Sequence, residues 1–157
     1  MGAGVDTEAV AVRACSIART LEVVGEKWAL LAVREVFLGV RRFDEIVART
    51  GAPRDTLSSR LRTLVAHDVL ARRLYCERPP RYEYVLTETG RDLYPVILTL
   101  RQWGDRHQAR DDAPPMLLEH ACGARLVPVM VCRSCSTEVD PHDVRRAEPT
   151  RSVIRTN

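Results

Sequence analysis

Residues 42–70, RFDEIVARTGAPRDTLSSRLRTLVAHDVL, constrain the fold more than any other part of the chain. They contain two short amphipathic runs separated by TGAP, in which Gly51 can end one helix and Pro53 can begin the next. The second run has the i, i+4, i+7, i+8 spacing of a helix that buries one face, at Leu57, Leu61, Leu64 and Val65. This pattern predicts a helix-turn-helix, and a plain helical hairpin is the alternative.

The face of the second helix opposite the leucines is polar. Its side chains are short or can form hydrogen bonds, which would let a flat polyanion approach closely; a merely solvated face is the alternative interpretation. The second helix of a helix-turn-helix enters the major groove of DNA, and the free N–H groups of its first turn attract phosphate. We therefore predict DNA contacts on this helix from Arg54, Thr56, Ser59, Arg60, Arg62 and Thr63.

The next segment has the pattern of a two-stranded hairpin. VLARRLY and RYEYVLT are rich in β-forming residues, and CERPPR between them places two prolines where the tip is expected. A hairpin behind a recognition helix is a wing, whose arginines can clamp phosphate or enter a minor groove. The predicted wing contacts are Arg73 on the first strand and Arg78 and Arg81 at the tip.

A long apolar helix is predicted after the wing. TETGRDLYPVILTLRQWGDRH can begin at Thr87 as a cap and run to about His107, with a kink or break at Pro95. The apolar stripe of this helix is too long for one small winged domain to cover, which predicts a homodimer. The stripe consists of Leu93, Val96, Ile97, Leu100 and Trp103. We also expect an effector pocket between this helix and the winged domain, with Trp28 and Trp103 as walls.

Composition limits the class of protein. The 157 residues suit one domain with a small appendage. The net charge of +3 is small, but the stretch from Arg34 to Arg91 holds 12 Arg against 8 acidic residues, a surplus that fits phosphate binding. No phosphate loop, paired carboxylates or triad-like context is present, so we do not expect an enzyme.

The chain has no export signal at its start and no apolar stretch of membrane-spanning length, which predicts a cytoplasmic protein.

The C-terminal part is rich in cysteine. Three of the five cysteines lie in HACGARLVPVMVCRSC, which favours metal or redox chemistry over a disulfide framework. We predict a structural zinc site in a short hairpin, with His142 as an alternative ligand; its ligands are His120, Cys122, Cys132 and Cys135. A metal-free hairpin and a redox dithiol are the alternatives.

The expected fold class is mainly α with a small β-wing, that is, α+β. The predicted divisions are an N-terminal arm over 1–14, a winged helix-turn-helix over 15–87, a dimerisation helix region over 88–109, a Cys-rich extension over 116–145 and a flexible tail over 146–157.

Residues 15 to about 108 resemble the HxlR-type winged-helix regulators, which are relatives of the MarR group. The resemblance rests on Cys15 before the first helix, GEKWALLAVREVFLGVRRFDEI, TLSSRLRTLVAHDVLARRLY, RPPRYEYVLTETG and LYPVILTLRQWG. It implies a dimeric transcription factor, often a repressor, that binds an inverted-repeat DNA duplex and responds to a small molecule, an electrophile or an oxidant. A winged-helix module that binds a protein partner instead of DNA is the alternative.

The resemblance also implies that Cys15 is the sensor residue. Its position ahead of a helix N-terminus, with Arg13 and Arg19 near in sequence, favours the reactive thiolate. A small packed thiol without reactivity is the alternative.

Overall fold

The structure is a computed structural model that describes residues 15–108 and 116–147. The predicted arm over 1–14 and residues 148–157 of the predicted tail lie outside the described residues. The chain divides into two compact units, Met1–Arg101 and Gln102–Asn157. Within the described ranges, no helix has both the length and the apolar composition to cross a lipid bilayer.

Four helices form most of the first unit: α1 (Ser16–Val24), α2 (Lys27–Phe37), α3 (Phe43–Thr50) and α4 (Arg54–Ala66). Gly51 ends α3 in the left-handed conformation, with φ 68°, and Pro53 directly precedes α4. Glycine adopts this conformation without the steric cost that a Cβ adds. The helix-turn-helix predicted from TGAP is confirmed.

The core of the first unit forms where α4 and α3 pack against α2. The stripe on α4 is confirmed, because Leu57, Leu61 and Leu64 are fully buried and Val65 packs against them from a partly buried position. Among the described residues Glu35 is the one buried charged side chain, and its carboxylate accepts a hydrogen bond from Arg34 Nε at 2.9 Å. The buried charge is therefore paired, as burial requires.

The predicted wing is an antiparallel hairpin of β1 (Leu70–Glu77) and β2 (Pro80–Leu86). Its turn is tighter than the sequence suggested, because Pro80 already pairs with Glu77 and only Arg78 and Pro79 form the tip. Proline is tolerated as the first residue of a strand, where no N–H is required. The hairpin is joined to the segment before α3, since Tyr84 N donates to Arg41 O at 2.8 Å.

A break divides the helical segment after the wing, as predicted, into α5 (Glu88–Arg91) and α6 (Tyr94–His107). Pro95 lies in the first turn of α6, where its missing N–H costs no helical hydrogen bond. Thr87 caps α5, because its Oγ1 accepts a hydrogen bond from Gly90 N at 3.0 Å. A Cβ on Gly90 would lie 2.0 Å from Val69 O, so only glycine allows α5 to pack this closely.

The Cys-rich extension contains two separate small loops in place of the single hairpin that the sequence suggested. One loop is closed by an antiparallel bridge between Glu119 and Arg125, and the other by a bridge between Val131 and Glu138. Pro128 lies between the loops and lacks the N–H that a continuous ladder would use. A short 3-10 helix, Pro141–Asp143, follows.

Candidate nucleic-acid interface

The outer face of α4 presents an exposed cation. Arg62 is exposed, and among the described residues it makes no ion pair. Arg60 is half-buried, and its Nε is shielded from solvent without a hydrogen-bond partner in the described part of the chain. Thr63 Oγ1 donates to the backbone O of Ser59 at 3.3 Å, which leaves the hydroxyl lone pairs free to accept. Thr56 is half-buried at the start of the same helix.

Arg54, at the N-terminus of α4, is already engaged. Its guanidinium donates to Asp44 Oδ1 on α3 at 2.7 Å and lies 4.9 Å from the centre of the Phe43 ring. Both charged groups are largely exposed, and such surface pairs contribute little stability. A phosphate can therefore compete with Asp44 for this guanidinium.

The wing arginines fall into two groups. Arg73 lies directly opposite Glu83 in the strand register, and its Nε donates to the Glu83 carboxylate at 2.6 Å. Arg78 at the tip and Arg81 on β2 are exposed, and within the described ranges neither forms an ion pair. Arg78 and Arg81 thus carry uncompensated charge, whereas Glu83 neutralises Arg73.

The sensor candidate Cys15 is exposed and is the N-cap residue of α1. The nearby Arg19 guanidinium donates to Ser16 Oγ at 3.3 Å. Cys76 is half-buried on the wing, and its thiol donates to Arg78 O at 3.7 Å. Of these two thiols, Cys15 is the more accessible to a reagent in solution.

A cleft of about 380 Å³ opens in the first unit beside the start of α1. It is lined by residues from α1, from the end of α4 and from the segment around α5, namely Ser16, Arg19, Thr20, Val23, Val24, His67, Val69, Thr89 and Leu93. Sequence reasoning missed it, because these residues come from three separate segments that only the fold brings together. The cleft begins one residue from Cys15.

The two tryptophans proposed as pocket walls do not line this cleft. Trp28 packs partly buried against the core of the first unit, with Lys27 Nζ 4.3 Å from its ring centre. Trp103 belongs to the second unit, is 57% exposed and lies 5.3 Å from the His107 ring. A pocket between Trp28 and Trp103 stays a prediction.

The four predicted zinc ligands are brought together as two pairs. His120 Nδ1 lies 3.2 Å from Cys122 Sγ. In the second pair, hydrogen bonds from the Thr137 side chain, the Thr137 backbone and the Cys132 thiol lower the pKa of Cys135. No three His, Cys, Asp or Glu side chains of the described residues are placed to hold one metal ion. A four-ligand zinc site therefore stays a prediction.

Comparison with known proteins places these features in one family. The model of the HxlR-like helix-turn-helix family matches residues 23–112. An uncharacterized HTH-type transcriptional regulator of Mycobacterium tuberculosis is 47% identical over 130 residues, which cover 82% of either protein. The crystal structure of PA1607, a candidate transcription factor, has a TM-score of 0.76 at 31% identity and covers 87% of this chain and 96% of that one.

A third similar structure is the redox regulator HypR in its oxidized form. It is 35% identical, has a TM-score of 0.56 and covers 62% of this chain and 99% of that one. The family and the relatives are transcriptional regulators and not enzymes. The chain belongs to the HxlR-like helix-turn-helix family of transcriptional regulators.

Proposed function

We propose that the protein is a cytoplasmic repressor that binds an inverted-repeat DNA operator as a homodimer and releases it in response to a small molecule or an electrophile. The observation that carries the proposal is the position of the unpaired arginines. Arg62 on the outer face of α4 and Arg78 on the wing tip have no ion-pair partner among the described residues. Unpaired guanidinium groups on a recognition helix and a wing suit base edges and phosphates.

The dimer is supported by an apolar surface that the chain leaves exposed. The apolar stripe predicted after the wing has two parts. Leu93 and Ile97 pack against the core, while Val96, Leu100 and Trp103 remain exposed. Leu100 is 56% exposed, and its exposed neighbours on the helix are also apolar. Proteins that stay monomeric rarely expose a continuous apolar patch of this kind to water. A second copy is the most economical cover, because identical subunits form symmetric dimers that match a symmetric operator.

A salt titration of operator binding tests the DNA-binding proposal. Arg78→Ala is expected to weaken binding and to reduce the slope of log K against log salt by about 0.9 for each subunit, or about 1.8 for the dimer, because each phosphate contact releases about one counterion. The slope is measured by fluorescence anisotropy of a labelled duplex at several salt concentrations.

The matched control removes an arginine of the same wing without changing net charge. The double variant Arg73→Ala with Glu83→Ala deletes the cross-strand pair, and it is expected to leave the salt slope near the wild-type value. An unchanged slope in Arg78→Ala would remove Arg78 from the interface. Failure to bind any duplex even at low salt would favour a protein partner over DNA.

The effector proposal centres on Cys15 and the adjacent cleft. A similar structure is described as a redox regulator, and the exposed Cys15 directly precedes Ser16, which lines a cleft large enough for a small organic molecule. Treatment with a quinone is expected to release wild-type protein from the operator, while Cys15→Ser stays bound. Cys76→Ser is the control and should respond like the wild type. Release of Cys15→Ser by the same quinone would show that Cys15 is not the sensor, and would leave another exposed thiol or non-covalent binding as the trigger.

A further inference from the structure

The Cys-rich segment lacks the usual source of order in a folded protein. Over residues 116–147 no side chain is buried, and only Leu118, Leu126 and Pro128 are even half-buried. A segment with so little buried apolar surface generally needs a metal or a covalent crosslink to hold a defined structure. Something other than a hydrophobic core must therefore stabilise its two loops.

Each loop is shaped by backbone hydrogen bonds that surround a ligand pair. In the first loop His120 N donates to Ala124 O at 2.9 Å and Gly123 N donates to His120 O at 2.8 Å. In the second loop Ser136 N donates to Cys132 O at 2.7 Å, and Cys132 N donates to Thr137 O at 2.8 Å. Both loops thus present two metal-binding side chains from one tight turn.

The spacing inside the pairs suits one metal ion. Bond lengths of about 2.0 Å to imidazole nitrogen and about 2.3 Å to sulfur, at a tetrahedral angle, place the two ligand atoms ~3.5 Å apart. His120 Nδ1 and Cys122 Sγ are 3.2 Å apart, close to that value. In the other loop the backbone hydrogen bonds from Ser136 N and to Thr137 O fold the chain at Cys132 into a tight turn that also contains Cys135. Each loop therefore supplies half of a tetrahedral ligand set.

We propose that the two loops together bind one Zn²⁺ through His120 Nδ1 and the thiolates of Cys122, Cys132 and Cys135. Two ligands alone do not satisfy tetrahedral zinc, and the second pair completes the set. The described side chains do not converge on one point, so the loops must approach each other when the metal binds. Residues 123–131 connect the two ligand pairs. A linker of this length can span up to about 30 Å when extended and can also fold back, so it allows the two loops to meet.

The metal has a structural role in this proposal. Four protein ligands close the tetrahedron and leave no position for water or substrate. Because the free segment buries almost nothing, the free energy of metal binding becomes the free energy that orders it. Removal of zinc is therefore expected to expose residues 116–147 to protease while residues 15–108 stay folded.

A Co²⁺ titration of the untagged, reduced full-length protein tests the site. We expect one Co²⁺ per chain, with the visible absorption of tetrahedral cobalt bound to thiolate, and displacement of Co²⁺ by Zn²⁺. Cys122→Ser and Cys135→Ser, one from each loop, should each weaken metal binding by roughly 100-fold or more, because a thiolate ligand is lost. Cys76→Ser removes a cysteine outside the segment and should bind cobalt like the wild type.

Two results would overturn the proposal. One is a full-length protein that binds no Co²⁺ or Zn²⁺ above background, which would leave the cysteines as packing residues or a dithiol. The other is an unchanged metal affinity in Cys122→Ser, which would mean that the two loops do not share one ion. Thermal unfolding of each variant shows whether the first unit is intact, so a loss of metal is not confused with a loss of fold.

Discussion

The Arg62→Glu variant is expected to bind the operator roughly 100-fold more weakly than the wild type, because it replaces a groove-facing cation with an anion. Arg62 is exposed in the middle of α4, on the side opposite the buried leucines. The change removes one favourable contact and adds repulsion from the DNA backbone. Titration of a labelled operator by fluorescence anisotropy at constant salt measures the affinity.

The matched control for this charge reversal is Arg91→Glu. Arg91 is also exposed, but it lies on α5, outside the helix-turn-helix and the wing. Arg91→Glu changes the net charge of the protein by the same amount as Arg62→Glu. Because only this general charge effect acts at Arg91, the affinity for the operator should fall by less than about 3-fold. Equal losses in the two variants would show that only overall charge matters and that α4 does not enter the groove.

The Leu100→Asp variant is expected to be monomeric at micromolar concentration. In a symmetric dimer through α6 the change would bury one carboxylate from each copy without a partner, and an uncompensated buried charge costs several kcal/mol. The dimer dissociation constant should therefore rise by at least ~100-fold. Sedimentation velocity measures the change, and binding to an inverted repeat should weaken in parallel.

Leu74→Asp is the control for the dimer prediction. Leu74 is an exposed leucine on β1 of the wing, outside α6, and its 46% exposure is comparable with that of Leu100. The control should sediment like the wild type. A wild-type protein that is cleanly monomeric at micromolar concentration would contradict the dimer, whatever the variants do.

The order of the elements could be predicted from the sequence because each signal is local. The leucine spacing on α4 and the turn residues Gly51 and Pro53 act within a few residues of where they lie. Thr87 and Pro95 act in the same way, since a cap and a missing N–H affect only the adjacent turn. The helix-turn-helix, the wing and the break before α6 follow from such signals.

The partners of the arginines could not be predicted in the same way. The pair between Arg54 and Asp44 requires the angle between two helices, and the pair between Arg73 and Glu83 requires the strand register. Periodicity says which residues face outward, but it does not say which charges meet. For this reason Arg73 and Arg78 could not be distinguished from the sequence, although the fold pairs only Arg73 with a carboxylate.

The cleft and the two metal-ligand pairs also depend on the fold. The cleft is made by segments far apart in sequence, so no local pattern indicates it. In the C-terminal segment Cys132 and Cys135 share one turn, which the hydrogen bond from Ser136 N to Cys132 O closes. The spacing did not indicate that the two pairs would lie in separate loops.

Selection of duplexes from a random pool by the purified full-length protein tests most directly whether this regulator reads DNA as a dimer. We predict enrichment of an inverted repeat whose half-site centres lie about 10 bp apart, since symmetric winged-helix subunits place their recognition helices one helical turn apart. A parallel selection with Arg62→Glu should yield no enrichment. Failure of the wild-type protein to enrich any sequence, or enrichment of a single asymmetric site bound by one copy, would contradict the account.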